Sequence, residues 1–405
     1  MKTPSLVDAI EALVTDKKAY YKQWVFDEPV VVGKSHNEEL KKVQQIMHRL
    51  ITHFVINYDR YEHLMPVSPE VKRILELSKP YKYQVGTYRT DFVYDQNDQV
   101  RLLEITCRFA LNGVFLPAIM QSIANDLNQK QEHQVRLNDV YSSIFEYLEE
   151  LIGSSERIIV LQGADRRNES KLFIPVFEKM GLSVVVLDLS EIDSKAALFF
   201  NSFIISELAL DEILTLSQET IKSLLASNMI NDLRTVFLIH DKRFFSVLYN
   251  EDFRRAVLNK DENDFFTPFL IPTYASQQHA PMWENCRNNK DRWVLKHATL
   301  GKSQSVYAGV VTSKDDWNNM FEQKMVDNMV IQEWITTDRV KGSIAGDEFY
   351  DYLTGTLMFF NKRYFGFGDF RTSSYPVTNK KDHRKACTFV LTEEFDKTFP
   401  YLKYI

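Results

Sequence analysis

Apolar positions along the chain set the first expectations. From Ser5 to Trp24 and from His36 to Tyr61 they recur at helical spacing, as in LKKVQQIMHRLITHFVINY, which predicts two amphipathic helical stretches. SPEVKRILELS opens with Ser68, Pro69 and Glu70, and a capping side chain, a preset φ and an early acid predict a short helix. The period then changes to two. VGTYRTDFVYD alternates and is rich in β-branched and aromatic residues; the polar turn QND and the run QVRLLEIT follow, which predicts a β-hairpin. Helical spacing returns after Asn112-Gly113 in FLPAIMQSIANDL and continues in LNDVYSSIFEYLEELI.

A different pattern begins after Gly153. ERIIVLQGADRRNESKLFIPVFEKMGLSVVVLDLSEI reads strand, loop, helix, glycine turn, strand, and IIVLQ is the continuous apolar run of a strand buried on both faces of a parallel sheet. ALFFNSFIIS and RTVFLIHD are expected as further strands, with the helix SQETIKSLLASN between them. Past Pro272, RWVLKHATLGKSQSVYAGVV predicts strand, loop, strand, followed by a helix in SKDDWNNMFEQKM and a strand in MVIQEWI. FYDYLTGTLMFFNKRYFGFGDFRTS predicts two or three antiparallel strands. The expected class is α/β with an α+β portion: residues 1–153 helices plus hairpin, 154–272 a parallel-sheet unit, 273–405 mixed strands and helices.

Composition narrows the function classes. With 405 residues, 44% hydrophobic and 26% charged, the chain is of the soluble globular kind and large enough for two or three packed units. A net charge of −6 with scattered Lys and Arg gives no footprint for nucleic acid. No window approaches the apolar length of a membrane span and no signal-peptide core opens the sequence, so a cytoplasmic protein without membrane contact is expected. Cys107, Cys286 and Cys387 are too far apart for a metal knuckle and are expected as buried thiols. His240, His279 and His297 fall in no metal-binding spacing and are expected to be structural, hydrogen-bonded histidines.

Three segments carry chemistry. Asp91 and Glu104 lie on the two strands of the hairpin, where they can face each other; side-by-side carboxylates repel unless a cation lies between them, and Mg²⁺ suits their oxygens. Arg89 shares the strand parity of Asp91 and so its face. A surface hairpin with cross-strand ion pairs is the competing reading. Next, HATLGKSQSVYAG places Gly301 and Lys302 in a loop after the strand residue Lys296, a composition that can wrap phosphate, although an ordinary hairpin has the same look. Neither a P-loop nor a G-x-G-x-x-G fingerprint is present. Last, MVIQEWI runs an apolar strand into Gln332, Glu333, Trp334 and Ile335, polar partners and apolar walls for a base.

Together these segments resemble the ATP-grasp superfamily, in particular the circularly permuted form of glutathionylspermidine synthase-like amide ligases. There, a strand pair of the form R-x-D-F followed by E-x-N comes early, and a Rossmann-like pre-ATP-grasp domain and the nucleotide flap come later. This chain has RTDF from Arg89 to Phe92, LLEIT from Leu102 to Thr106, the flap WVLKHATLGKSQSV, the hinge VIQEWI, and YFGFGDFRTSSYP around Arg371. The resemblance implies that 1–153 and 273–405 both contribute to the ATP-grasp domain. It implies ATP and Mg²⁺ as cofactors, with Asp91, Glu104 and Thr106 on the metal. Lys296, Lys302 and Ser303 would meet the phosphates, and Gln332, Glu333, Trp334 and Ile335 the adenine. Arg89 and Arg371 would stabilise the moving γ-phosphoryl group. Two departures stand out: Thr106 replaces the motif's Asn, and the flap carries Ser303, Gln304 and Ser305 where its relatives carry more glycine.

The implied activity is an ATP-dependent C–N ligase, in which a carboxylate takes the γ-phosphoryl group and an amine displaces phosphate to give an amide or peptide bond. For the acid, Arg108 offers a bidentate fork; Asn112, six positions after Thr106, either stands in for the motif's Asn at the metal or holds substrate; Arg166 and Arg167 lie after a parallel strand, where ligands of open sheets bind. Structural pairing of Arg108 and solvation of the loop arginines compete with those roles. A phosphotransferase and a nucleotide-binding scaffold without turnover are the alternative functions. A homodimer is expected only as the common soluble assembly.

Overall fold

The computed structural model describes residues 5–111, 113–130, 140–165, 170–275, 279–301, 303–378, 380–391 and 401–404. Its strands are β1 (Val30–Val32), β2 (Thr87–Tyr94), β3 (Val100–Thr106), β4 (Arg157–Gln162), β5 (Ser183–Asp188), β6 (Ser202–Glu207), β7 (Asn228–Ile230), β8 (Thr273–Ala275), β9 (Trp293–His297), β10 (Val306–Ala308), β11 (Met329–Glu333), β12 (Val340–Ile344), β13 (Asp347–Phe360), β14 (Arg363–Phe367), β15 (Phe370–Ser373), β16 (Arg384–Ala386), β17 (Thr388–Val390) and β18 (Lys403–Tyr404).

The N-terminal helices form as their spacing predicts, at Leu6–Lys22 and Lys34–Ile56, the second followed by a separate turn at Tyr58–Tyr61. Ser68 caps the helix Pro69–Ser78 by accepting from Val71 N at 3.3 Å. The hairpin β2–β3 also forms, and its partner comes from far along the chain. β13 pairs antiparallel with β2, so the large antiparallel sheet runs β16-β15-β13-β2-β3, with β12 and β14 also on β13. Strands separated by more than 240 positions therefore share one ladder, as Asp91 opposite Thr356 shows. One face of this sheet is packed by the helix Lys34–Ile56 and by residues 238–270, in a core that includes Phe54, Tyr88, Phe92, Phe244 and Phe370.

The parallel sheet has the order β5-β4-β6-β7. Here one expectation fails: RTVFLIHD is not a strand. Leu233–Leu238 is helical and every residue in it is buried, with Leu233, Val236 and Phe237 in one core and Leu238 in another. A short apolar run that is buried all round carries no period, and the Asp232 side chain accepting from Arg234 N at 2.8 Å starts the helix. The fourth parallel strand is instead β7, which begins at Asn228, the last residue of the segment expected as helix; the helix itself ends at Leu225.

The last third builds a small antiparallel sheet, β10-β9-β11-β8, backed by the helices Ala280–Asn288 and Lys314–Glu322 through Trp283, Trp293 and Trp317. All three cysteines are buried and free. No helix among the described residues is long and apolar enough to cross a membrane.

Candidate functional site

A cleft lies between the large sheet and the small one. Asp91, Val93, Leu103 and Glu104 line it from the hairpin, Lys296, Ser303 and Val306 from β9 to β10, Gln332 to Ile335 from β11 onward, and Tyr352, Thr354, Arg371 and Thr378 from the C-terminal strands. Both sheets are needed to make it.

On the hairpin, Asp91 stands directly opposite Glu104 and Arg89 opposite Thr106. Between Asp91 and Phe92 the register shifts, which leaves Leu103 as the extra residue of a β-bulge. Its carbonyl, out of the ladder, accepts from Lys296 Nζ and from Gln332 Nε2, each at 3.3 Å. Lys296 Nζ also donates to Gln332 Oε1 at 2.7 Å, and Gln332 Nε2 donates to Thr273 Oγ1 at 2.9 Å. The bulge thus ties the hairpin to the lysine strand. That bond network ranks among the buried polar arrangements whose members depend on one another.

The electrostatics follow from crowding of opposite charges. Arg371 Nη2 lies 2.5 Å from Asp91 Oδ2, while Thr356 Oγ1 donates to Asp91 Oδ1 at 3.3 Å. Burial works against the Arg371 charge, but Asp91 and Asp369 outweigh it and hold the guanidinium more firmly protonated than usual. Burial likewise favours a neutral Glu104, yet Lys242, Lys296 and Arg371 bring its carboxyl down to about 2. Lys296 goes the other way: burial, aided by Lys242 and opposed by Glu104, lowers it to about 8. Asp369, paired with Lys385 at 2.7 Å, is held at about 2 against its burial by Lys385 and Arg371.

The apolar end is made by Val294 and Val306, with Trp334 and Val377 packed against them. Glu333 N donates to Pro272 O and Trp334 N to Arg292 O, so both amides are already bonded within the protein.

Of the residues expected from sequence, Asp91, Glu104, Lys296, Ser303, Gln332, Glu333, Trp334, Ile335 and Arg371 line the cleft together. Arg89, Thr106 and Arg108 do not line it. Arg89 and Thr106 sit two ladder pairs beyond Asp91 and Glu104, and Arg108 follows β3 with its guanidinium 4.1 Å from the Phe109 ring centre. Lys302, Asn112, Arg166 and Arg167 lie outside the described residues. Two residues of the site escaped the sequence reading. Lys242 is buried, 3.7 Å from Glu104 and donating to Leu300 O at 2.6 Å. His240, expected to be hydrogen-bonded, is 3% exposed and has no partner at either ring nitrogen among the described residues. The signal for both was the charged segment His240-Asp241-Lys242-Arg243 closing an apolar run, obscured by reading that run as a strand.

Comparison with solved structures gives the fold a relative. The glutathione synthetase-like effector GSS30 of Globodera pallida, in its apo form, superposes with a TM-score of 0.57 at 10% sequence identity, over 94% of this chain and 97% of that one. The chain shares that fold. A putative gamma-glutamylcysteine synthetase from Methylobacillus flagellatus KT aligns over 88% of each chain with a TM-score of 0.41 and 10% identity. The family described as AnkG N-terminal domain matches residues 43–238, which include the hairpin and the parallel sheet and stop before the lysine-bearing strand. No curated protein matches the sequence.

Proposed function

We propose that the chain is an ATP-dependent carboxylate–amine ligase of ATP-grasp type. The observation that carries this reading is the convergence of Asp91, Glu104, Lys296, Arg371 and the segment Gln332 to Ile335 on one cleft, from strands far apart in sequence. The domain reading is part of the same proposal: residues 1–153 and 273–405 form a permuted ATP-grasp unit around a Rossmann-like unit at 154–272. A nucleotide would lie with its base against Val294, Val306 and Trp334 and its phosphates toward Lys296, Lys242 and Arg371.

The donor set fits a magnesium ion carried by phosphate. Asp91 and Glu104 offer hard oxygens side by side, and among the described residues no group of three or more His, Cys, Asp or Glu is placed to hold a metal by itself. Asp91, Glu104 and, two pairs along, Thr106 would hold the ion, which when bound offsets phosphate charge. The chain's own cations do the rest. Lys296 and Lys242 would steady the phosphate oxygens, while Arg371, released from Asp91, would meet the charge that develops as the γ-phosphoryl group moves to the acid. An amine then attacks the acyl carbon, the C–O bond to phosphate breaks, and the amine proton passes to solvent.

A second reading, nucleotide binding without turnover, is favoured by one observation: Asp91 is already satisfied by Arg371 and Thr356. Incubation of the protein with Mg-ATP and amino acid pools separates the two, scored for ADP, phosphate and amide product by mass. ADP with an amide is expected, and Asp91→Asn or Glu104→Gln should suppress it. ATP consumption unchanged in both variants would remove the metal assignment. Nucleotide binding without ADP would favour the second reading.

A further inference from the structure

Beyond the cleft, buried polar atoms next to the end of β3 have no hydrogen-bond partner among the described residues. The segment from Thr235 to Lys242 runs beside this strand end and is fixed to it at two points. Cys107 Sγ donates to Thr235 O at 3.5 Å, and Lys242 Nζ sits 3.7 Å from Glu104. His240 lies between those anchors, its backbone N–H on Thr235 O at 3.3 Å. Among the described residues, both nitrogens of its buried ring lack a partner, and so does the buried Nε of Arg108. Native proteins rarely bury polar side-chain atoms without a partner, and where they do the group often has a ligand-bound role.

The surroundings define what that ligand is. Burial, with Lys242, Arg108 and Arg89, keeps the His240 ring neutral, so it presents one N–H donor and one acceptor rather than a charge. Arg89 comes in from β2, its guanidinium packed where a side chain on Gly113 would overlap it; Gly113 has a φ of +82°. Glu104 lies on the cleft side, and Asp165, Glu207, Asp211 and Glu212 act on Arg108. Two guanidinium forks, both acting on a neutral buried ring whose segment is anchored at Glu104, match a planar carboxylate, which takes paired hydrogen bonds in its plane.

We propose that Arg108 and His240, together with Arg89, form a subsite for the carboxylate of the acid that the ligase would activate. This rests on the ligase reading for its purpose, and on the unsatisfied groups for its place. His240 is the new member: it donates to one carboxylate oxygen while Arg108 takes the other.

The test uses the full chain labelled with ¹⁵N at histidine rings, the His240 signals being identified by their loss in His240→Asn. Sodium acetate and sodium phosphate are titrated separately against sodium chloride at equal ionic strength. A saturable movement of the His240 signals with acetate is expected, weakened about fivefold or more in Arg108→Lys, a loss that keeps the charge and removes the fork. Absence of saturable movement with acetate overturns the subsite, as does a response to phosphate alone, which would give the groups to the nucleotide. A parallel titration with a fluorescent ATP analogue and Mg²⁺ keeps the two proposals apart. Nucleotide binding without an acetate response sinks the subsite and spares the ligase reading; an acetate response without nucleotide binding does the reverse.

Discussion

Arg371 holds Asp91 in a 2.5 Å ion pair across two strands of the large sheet, and Thr356 takes the other carboxylate oxygen. The acid best placed for a metal is thus already neutralised by the protein. A divalent ion arriving alone must displace a guanidinium that has nowhere better to go, whereas phosphates arriving with the ion give Arg371 a new anion. Mn²⁺ alone should therefore bind at least about tenfold more weakly than Mn²⁺ with ADP, a difference of about 1.4 kcal/mol. Arg371→Gln should narrow that gap. Electron paramagnetic resonance of free Mn²⁺ measures both, and equal affinity with and without ADP in the unaltered chain would refute the displacement.

The two titrating groups of the cleft give opposite pH limbs. Glu104 ionises at about 2 in the folded chain against an ordinary value of 4.5, so its contribution to stability is complete above pH 4.5 and is lost as the pH falls toward 2. Lys296 is lowered from 10.5 to about 8, so the folded chain binds its proton less tightly than the unfolded one, and stability rises between pH 8 and 10.5 as that charge is given up. Urea unfolding across pH should show both limbs, the acid one flattened by Glu104→Gln and the alkaline one by Lys296→Met.

Nucleotide affinity should follow the same lysine in the other direction. An ammonium that meets phosphate is charged below pH 8 and neutral above it. The dissociation constant of a fluorescent ATP analogue should rise about tenfold from pH 7 to 9.5, the loss of a single charge contact worth about 1.4 kcal/mol. In Lys296→Met the constant should be weak and flat over that range. A slope preserved in the variant would transfer the effect to Lys242 or to the ligand.

Gln332 links the hairpin bulge to the lysine strand, and its loss should be felt in stability before it is felt in binding. Gln332→Ala removes an acceptor from Lys296 and a donor from the Leu103 carbonyl and Thr273, all in a largely buried setting. Orphaned groups of this kind cost about 1–3 kcal/mol each. A drop in the urea midpoint with no change in slope is expected, and a midpoint unchanged from the parent chain would show that water replaces the amide without penalty.

How far the chain could be read in advance depended on whether a residue's partners were local. The hairpin follows from alternation and a polar turn. Asp91 meets Glu104 only through the Leu103 bulge, since an unbroken ladder would set Asp91 opposite Leu103. The strands that carry Lys296 and Gln332 were likewise legible from their local pattern. Lys242 and His240 were not, since they depend on a helix buried on all sides, and an apolar run with no period reads equally as a strand. The pairing of β13 with β2 was also out of reach: nothing local in DEFYDYLTGTLMFF names a partner beyond 240 positions upstream. The Leu103 bulge is hidden for a related reason, as the extra residue shows only against the opposing strand.

That long-range pairing supplies the last prediction. Gly355 stands opposite Phe92 where β13 crosses β2, and a Cβ on it would overlap the rings of Phe92 and Phe370. Both rings are fully buried and pack edge-on against each other, with centroids 5.8 Å apart, so neither can turn aside without opening the core behind the site. Gly355→Ala adds one methyl group, and as a strand substitution it should help by propensity alone. Overpacking should win, at about 1–3 kcal/mol, because the obstructing atoms belong to rigid rings and not to a flexible side-chain end. The same strand carries Thr356 to Asp91 and Thr354 opposite Arg371, so the shift should reach the cleft as well. A lower melting temperature together with weaker nucleotide binding is expected for Gly355→Ala, and restoration of both by the added change Phe370→Leu would locate the strain at that ring. A variant as stable as the parent would mean that the crossing of β2 and β13 is looser than its packing implies.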